Sequence, residues 1–154
     1  AFIEQYRQLS QLPLPQPKWF DFSEILLEAK SMIDEGCQVN FQGNNLCYGD
    51  ANQVVQILIN ILKNAREACV EDVSRVNIKI YSVKNEQVIE ITDNGSGFAN
   101  LDNVLTPFYT TKPHGSGIGL SLCAEITRNH GGLLEVSNII DGGAKITITW
   151  LTST

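Results

Sequence analysis

The chain is predicted to fold as an α/β two-layer sandwich of the α+β kind: a mixed, mainly antiparallel sheet with helices on one face. Three observations predict it. Along residues 76–81, 89–92 and 144–150 apolar and polar residues alternate, so each strand turns one face to a core and the other to water. Such one-sided strands do not suit a doubly wound parallel sheet, whose strands are covered on both faces. Between them lie segments whose apolar residues recur at helical spacing along a single stripe. Finally, 154 residues and 17.0 kDa suit one domain, long enough to bury roughly two-thirds of its unfolded surface.

Each element has its own signal. Phe2, Tyr6 and Leu9 stand at helical spacing within residues 1–12, and Pro13, Pro15 and Pro17 then stop any helix. A helix stub is therefore expected over 1–12, an extended linker over 13–19, and the main domain over 20–154. A helix starts at Asp21, where Asp21 and Glu24 are spaced as a capping box, and Phe22, Ile25, Leu26, Ala29, Met32 and Ile33 form its apolar stripe as far as Gly36. Residues 37–48 read as short strands interrupted by the turn Gly43-Asn44-Asn45. Asp50 caps the longest helix, on which Val54, Val55, Leu58, Ile61, Leu62, Ala65 and Cys69 share one face. Val76, Ile78 and Ile80 then pair with Ile89 and Ile91 in a hairpin turning at Asn85-Glu86. Residues 118–130 read as a helix and Leu133 to Val136 as a strand. Asp141-Gly142-Gly143 reads as a turn, and Ala144, Ile146, Ile148 and Trp150 mark a closing antiparallel strand.

Hydrophobic residues at 43% and charged residues at 18% are ordinary for a globular domain. A net charge of -6 argues against a broad basic surface, hence against nucleic acid as a partner. An anionic ligand needs local help from backbone amides or a cation such as magnesium. Cys37, Cys47, Cys69 and Cys123 show no Cys-x-x-Cys spacing, which favours reduced structural thiols. No apolar run approaches the roughly 20 residues of a membrane span, and Ala1-Phe2-Ile3-Glu4 does not open a signal peptide. The segment is expected to be cytoplasmic and without direct membrane contact.

The chemistry gathers at three places. Strand parity puts Asp93 on the side of Ile89 and Ile91, facing the layer between sheet and helices, which is costly unless something donates to its carboxylate. Asp93-Asn94-Gly95 by itself also fits a plain turn. Gly97 adds a second glycine, and the two would let the backbone approach a flat ligand while the acid suits the exocyclic amine of adenine. On the long helix Gln53, Asn60, Asn64 and Glu67 form a polar stripe, which fits either a solvated flank or a ligand-facing edge. The Asn64 amide oxygen can serve a hard cation. Gly115-Ser116-Gly117-Ile118-Gly119-Leu120 lacks the strand of a dinucleotide fingerprint and the lysine of a P-loop. Running into a helix, it supplies free amides for phosphates. Between these runs, Thr106 to His114 has the character of a lid. Phe108 and Tyr109 fit hinge or core anchors, His114 an exposed loop residue, and Lys112 a phosphate partner.

In this order the segments resemble the catalytic, ATP-binding domain of two-component sensor histidine kinases, in the Bergerat-fold superfamily with gyrase, mismatch-repair and chaperone ATPases. The resemblance covers roughly residues 20–152. Asn60-Ile61-Leu62-Lys63-Asn64-Ala65-Arg66-Glu67-Ala68 matches the N box, Asp93 to Gly97 the first glycine box, Pro107-Phe108-Tyr109 the F box and Gly115 to Gly119 the second glycine box. It implies that Asn64 ligates magnesium and that Asp93 recognises the adenine amine. Asn60, Gly95, Gly97, Phe108, Thr111, Lys112, Gly115, Ser116, Gly117, Ile118, Gly119, Leu120 and Thr147 join them around ATP, with Asn64 and Lys112 as the catalytic pair. Many members carry lysine and an aromatic three and four residues after the magnesium asparagine, where this chain has Glu67 and Ala68. The lid from Thr110 to Ser116 is short, as in nitrogen-regulation kinases.

The gyrase-like members carry a water-activating glutamate four residues before the magnesium asparagine. Here Asn60 stands there, and an amide cannot take a proton. The resemblance thus implies a kinase whose phosphoryl acceptor is a histidine on a separate helical dimerisation domain, since His114 and His130 are not on a helix of the acceptor type. It further implies a cognate response regulator and a homodimeric parent protein, compatible with an inner-membrane anchor outside this segment. A nucleotide-binding regulatory module without transfer activity, anti-sigma-like or a degenerate kinase, would use the same motifs.

Overall fold

The computed structural model describes residues 12–33, 36–99, 101, 105 and 119–152. The elements, in chain order, are β1 (Lys18–Asp21), α1 (Phe22–Ser31), β2 (Cys37–Gly43), β3 (Leu46–Gly49), α2 (Ala51–Ala68), β4 (Ser74–Val83), β5 (Glu86–Asp93), α3 (Gly119–Asn129), β6 (Leu133–Asn138) and β7 (Ala144–Leu151). Five strands form one sheet in the order β2-β4-β5-β7-β6, while β1 and β3 form a separate antiparallel pair. Only β2 and β4 run parallel within the larger sheet, so it is mixed and mainly antiparallel, as the alternation predicts.

Period-two burial makes the layers. On β4, Ser74, Val76, Ile78 and Ile80 are buried and Arg75, Asn77, Lys79 and Tyr81 exposed; Ala144, Ile146, Ile148 and Trp150 repeat the pattern on β7. Of these inward residues, Val76, Ile78, Ile80, Ile146, Ile148 and Trp150 share one cluster with Val54, Leu58, Ile61, Leu62 and Ala65 of α2 and with Cys123 and Ile126 of α3. Removing that apolar area from water is the main stabilising term. The expected caps form: Asp21 Oδ1 accepts from the Ser23 amide at 2.9 Å and Asp50 Oδ1 from the Gln53 amide at 3.2 Å.

Four details differ from the sequence reading. Lys18 and Trp19, expected in the linker, belong to β1, because β3 offers a partner 29 positions away in register Trp19↔Tyr48. The first helix ends at Ser31, so Met32, expected in its stripe, is a C-cap residue 63% exposed. The hairpin turns at Lys84-Asn85, one residue early, with Lys84 in the left-handed region at φ 57°. Ile57 and Ile59, off the expected stripe of α2, are 2% and 9% exposed, because α1 and α3 pack on α2 in addition to the sheet. The expected stub falls on residues 1–12, of which 1–11 lie outside the described residues.

Candidate functional site

Asp93 ends β5 where the chain leaves the sheet, half-buried and on the parity of Ile89 and Ile91. Its Oδ1 accepts from the Gly95 amide at 2.8 Å and from the Ala144 amide at 3.1 Å. These are the donors that an inward carboxylate requires, and amide bonds to an ionised acceptor are among the stronger kind. Both bonds fall on one oxygen, so Oδ2 is the atom positioned to receive another donor.

The loop after Asp93 is tied at several points. The Asn94 amide donates to the Arg75 carbonyl at 3.2 Å, and Asn94 Oδ1 accepts from the Arg75 amide at 2.8 Å. The Ser96 amide donates to the carbonyl of Ala68, at the end of α2, at 3.0 Å. A Cβ at Gly95 would lie 3.0 Å from Ala68 Cβ and 3.1 Å from its carbonyl oxygen. At Gly97, φ is +84° and a Cβ would stand 2.7 Å from Asn138 Oδ1. Both glycines therefore have reasons within the protein, in addition to the close ligand approach expected of them. Gly143, read only as a turn residue, has φ +105°, and a Cβ there would lie 2.0 Å from the Asp93 carbonyl oxygen. Ala68, Asn138, Gly143 and Ala144 thus shape the site without having been singled out for it. The Gly142-Gly143 pair before a strand was the one signal available, and only contact with Asp93 shows that Gly143 is the constrained member.

Asn60 and Asn64 stand one turn apart on α2 and face the start of α3. Asn60 Nδ2 donates to the Gly119 carbonyl at 3.4 Å and Asn60 Oδ1 accepts from Gln56 Nε2 at 3.4 Å. A Cβ at Gly119 would lie 3.7 Å from Asn64 Nδ2. Leu120, the next residue, is buried and seats this end of α3. The N box and the last glycine of the second glycine box thereby meet at the N-terminus of an 11-residue helix, whose dipole favours an anion.

Not every candidate joins them. Thr147 lies on the outward face of β7, paired with Glu90 and Glu135, because Ile146 and Ile148 take the inward positions. It does not share the face from which Asp93 reaches the layer between sheet and helices. Gln53 is buried and its Nε2 donates to the Pro13 carbonyl at 2.9 Å, so it holds the linker and is no solvated flank. Glu67 is exposed. Phe108, Tyr109, Thr111, Lys112, His114, Gly115, Ser116, Gly117 and Ile118 lie outside the described residues.

Other titratable groups, away from Asp93, have structural roles. His130 Nδ1 donates to the Ile126 carbonyl at 2.9 Å, its Nε2 accepts from the Asp50 amide at 3.0 Å, and the ring stacks on Trp150 with centroids 4.3 Å apart. Burial holds this imidazole below its ordinary value, against smaller opposing effects of the Ile126 carbonyl and the Asp50 carboxylate. Burial pushes the Cys47 and Cys123 thiols up to about 12, and all four cysteines are free. Among the described residues no three His, Cys, Asp or Glu side chains cluster as a metal site, and no helix is long and apolar enough to cross a membrane.

Known proteins share this fold. The profile of the histidine kinase-, DNA gyrase B- and HSP90-like ATPase family matches residues 49–154. A putative NtrY-like sensor histidine kinase of Rickettsia bellii is 33% identical over 147 residues, covering 88% of this chain and 24% of that protein. The nitrogen regulation protein NtrY of Azorhizobium caulinodans is 30% identical over 161 residues, covering 96% of this chain and 21% of its own length. The chain thus spans about a quarter or less of these two relatives. Among solved structures, the histidine kinase AdeS of Acinetobacter baumannii aligns with a TM-score of 0.81 at 22% identity over 99% of this chain and 77% of its own. The catalytic domain of the histidine kinase ThkA aligns with a TM-score of 0.75 at 24% identity over 89% and 96%. These two likenesses establish a common fold, and with the matched profile they show that the chain belongs to the histidine kinase-, DNA gyrase B- and HSP90-like ATPase family.

Proposed function

We propose that the chain is the ATP-binding catalytic domain of a sensor histidine kinase, binding Mg-ATP and presenting the γ-phosphoryl group to a histidine on a separate helical domain. The observation that carries this reading is Asp93: two backbone amides hold Oδ1, so Oδ2 is left to accept from the exocyclic amine of adenine. The loop of Gly95 and Gly97 supplies the edge of the base pocket. The ShkA kinase, whose structure aligns with this chain at a TM-score of 0.76, was solved in complex with AMPPNP.

Asn64 and the N-terminus of α3 lie on the phosphate side. With no acidic cluster among the described residues, a cation here relies on the Asn64 amide oxygen, water and the phosphates themselves, a donor set that suits magnesium. Bound magnesium would offset phosphate charge in a chain whose net charge is -6. In this reading Lys112 pairs with the phosphates and the segment Gly115 to Gly119 covers them. Asn60 cannot act as a base toward water, and its amide is engaged with Gly119 and Gln56, so ATP waits for another acceptor. His130 is unsuited to that part, since both ring nitrogens are occupied and the ring is stacked. The acceptor therefore belongs to a partner domain of a homodimeric parent protein, with a response regulator downstream on the cytoplasmic side.

Titration with a fluorescent ATP analogue, with and without chelator, tests the reading. Binding is expected to depend on magnesium in the wild type and to lose that dependence in Asn64→Ala. A domain bearing the acceptor histidine, added with labelled ATP, is expected to become acid-labile phosphoprotein. Absence of analogue binding by the wild type at millimolar nucleotide would overturn the proposal.

A further inference from the structure

The first glycine loop needs a hold at its far end. Near Asp93 the loop is fixed by Arg75, Ala68 and the Asp93 carboxylate. Five residues past Asp93, the chain crosses the end of β6. There Asn138 Oδ1 accepts from the Phe98 amide at 2.7 Å, and Asn138 Nδ2 donates to the Phe98 carbonyl at 3.1 Å. One side chain thus satisfies both backbone polar groups of a single residue 40 positions away, as a strand partner would. Gly97 lies directly over the same amide, since a Cβ there would stand 2.7 Å from Asn138 Oδ1 and 3.2 Å from the Gly143 carbonyl oxygen. Gly143 in turn abuts the Asp93 backbone, and the Ala144 amide bonds the Asp93 carboxylate. The end of the β6–β7 hairpin is therefore a floor for both Asp93 and the loop, with Asn138 as its clamp.

We infer that Asn138 is a positioning residue for nucleotide binding: through its paired bonds to Phe98 it holds the Gly95–Gly97 loop in the conformation that receives the base. This rests on the reading of Asp93 and its loop as the adenine site. Asn138 is exposed and its two bonds to Phe98 lie at the surface, although Phe98 itself is half-buried against the core, so loss of the clamp should appear in binding before stability. An unclamped loop must be ordered by the nucleotide, which lowers affinity.

The test measures fluorescent ATP-analogue affinity, melting temperature and Phe98 amide hydrogen exchange in wild type, Asn138→Ala and Asn138→Asp. Two lost hydrogen bonds, at about tenfold for each 1.4 kcal/mol, lead us to expect Asn138→Ala to bind about five- to thirtyfold more weakly. Its melting temperature should stay within a few degrees while Phe98 exchange quickens. Asn138→Asp keeps the acceptor for the Phe98 amide but loses the donor to its carbonyl, so partial rescue of affinity and intermediate exchange are expected. Affinity within twofold of wild type in Asn138→Ala would overturn the inference, as would an affinity loss in which Phe98 exchange is unchanged. A wild type that binds no analogue would instead remove the functional reading and the inference with it, so the two failures are told apart.

Discussion

Replacing Asp93 separates its two jobs. In Asp93→Asn the amide oxygen can take the place of Oδ1 and keep accepting from Gly95 at 2.8 Å and Ala144 at 3.1 Å. The NH2 group then replaces Oδ2 and meets the adenine amine donor to donor. A neutral acceptor is weaker than a carboxylate, so folding stability should fall by no more than about 1 kcal/mol. The bond lost to adenine is one to a charged group, worth about 1.5–3 kcal/mol, or roughly ten- to a hundredfold in affinity. Asp93→Ala behaves differently, because it leaves two amides without their acceptor. With partial access to water these cost about 1 kcal/mol each, so about 2 kcal/mol of stability should go as well. Urea unfolding reads the stability, and titration with an ATP analogue and with the matching inosine nucleotide reads the affinity. The expected pattern is an Asn variant that folds nearly as the wild type, binds ATP weakly and no longer prefers adenine to hypoxanthine. An Asn variant with undiminished adenine preference would refute the reasoning, and one as unstable as the Ala variant would show the acid to be structural alone.

Two predictions concern the frame. His130 is neutral in the folded protein, and burial lowers its value below the ordinary 6.5, so the unfolded chain binds the proton more readily. Its contribution is fully present above pH 6.5 and is lost as pH falls through the lowered folded value. The gap in melting temperature between wild type and His130→Gln should therefore narrow from pH 7.5 toward pH 5, and a constant gap would contradict this. At Gly132 an added Cβ would lie 2.1 Å from the Thr149 carbonyl oxygen and 2.8 Å from Trp150 Cβ. Gly132→Ala must shift the backbone joining α3 to β6, so a loss of about 1–3 kcal/mol is expected in denaturant unfolding.

How far the site was legible depends on the range of the interactions that make it. Asp21 and Asp50 were readable as caps because a cap bonds two or three residues ahead. Asp93 was readable as an inward acid because parity runs along a single strand. Its donors were only half readable: Gly95 is two positions away, whereas Ala144 is 51 away. For Thr147 the resemblance names a position without its face, and the inward residues Ile146 and Ile148 put it on the outward face of β7. Asn138 carried no local signal, since its partner Phe98 lies 40 positions back.

The sequence by itself determined what repeats within a few residues: the helices, the one-sided strands, the caps, and the ordered motifs that mark the family. Tertiary structure alone decided that β2 lies parallel to β4, that Lys18–Asp21 pairs with β3, that α2 is buried on more than one side, and that the β6–β7 hairpin underlies the first glycine loop. The physical reason is that periodicity reports which side of an element avoids water, whereas the neighbour that covers that side is chosen by contacts between residues tens of positions apart.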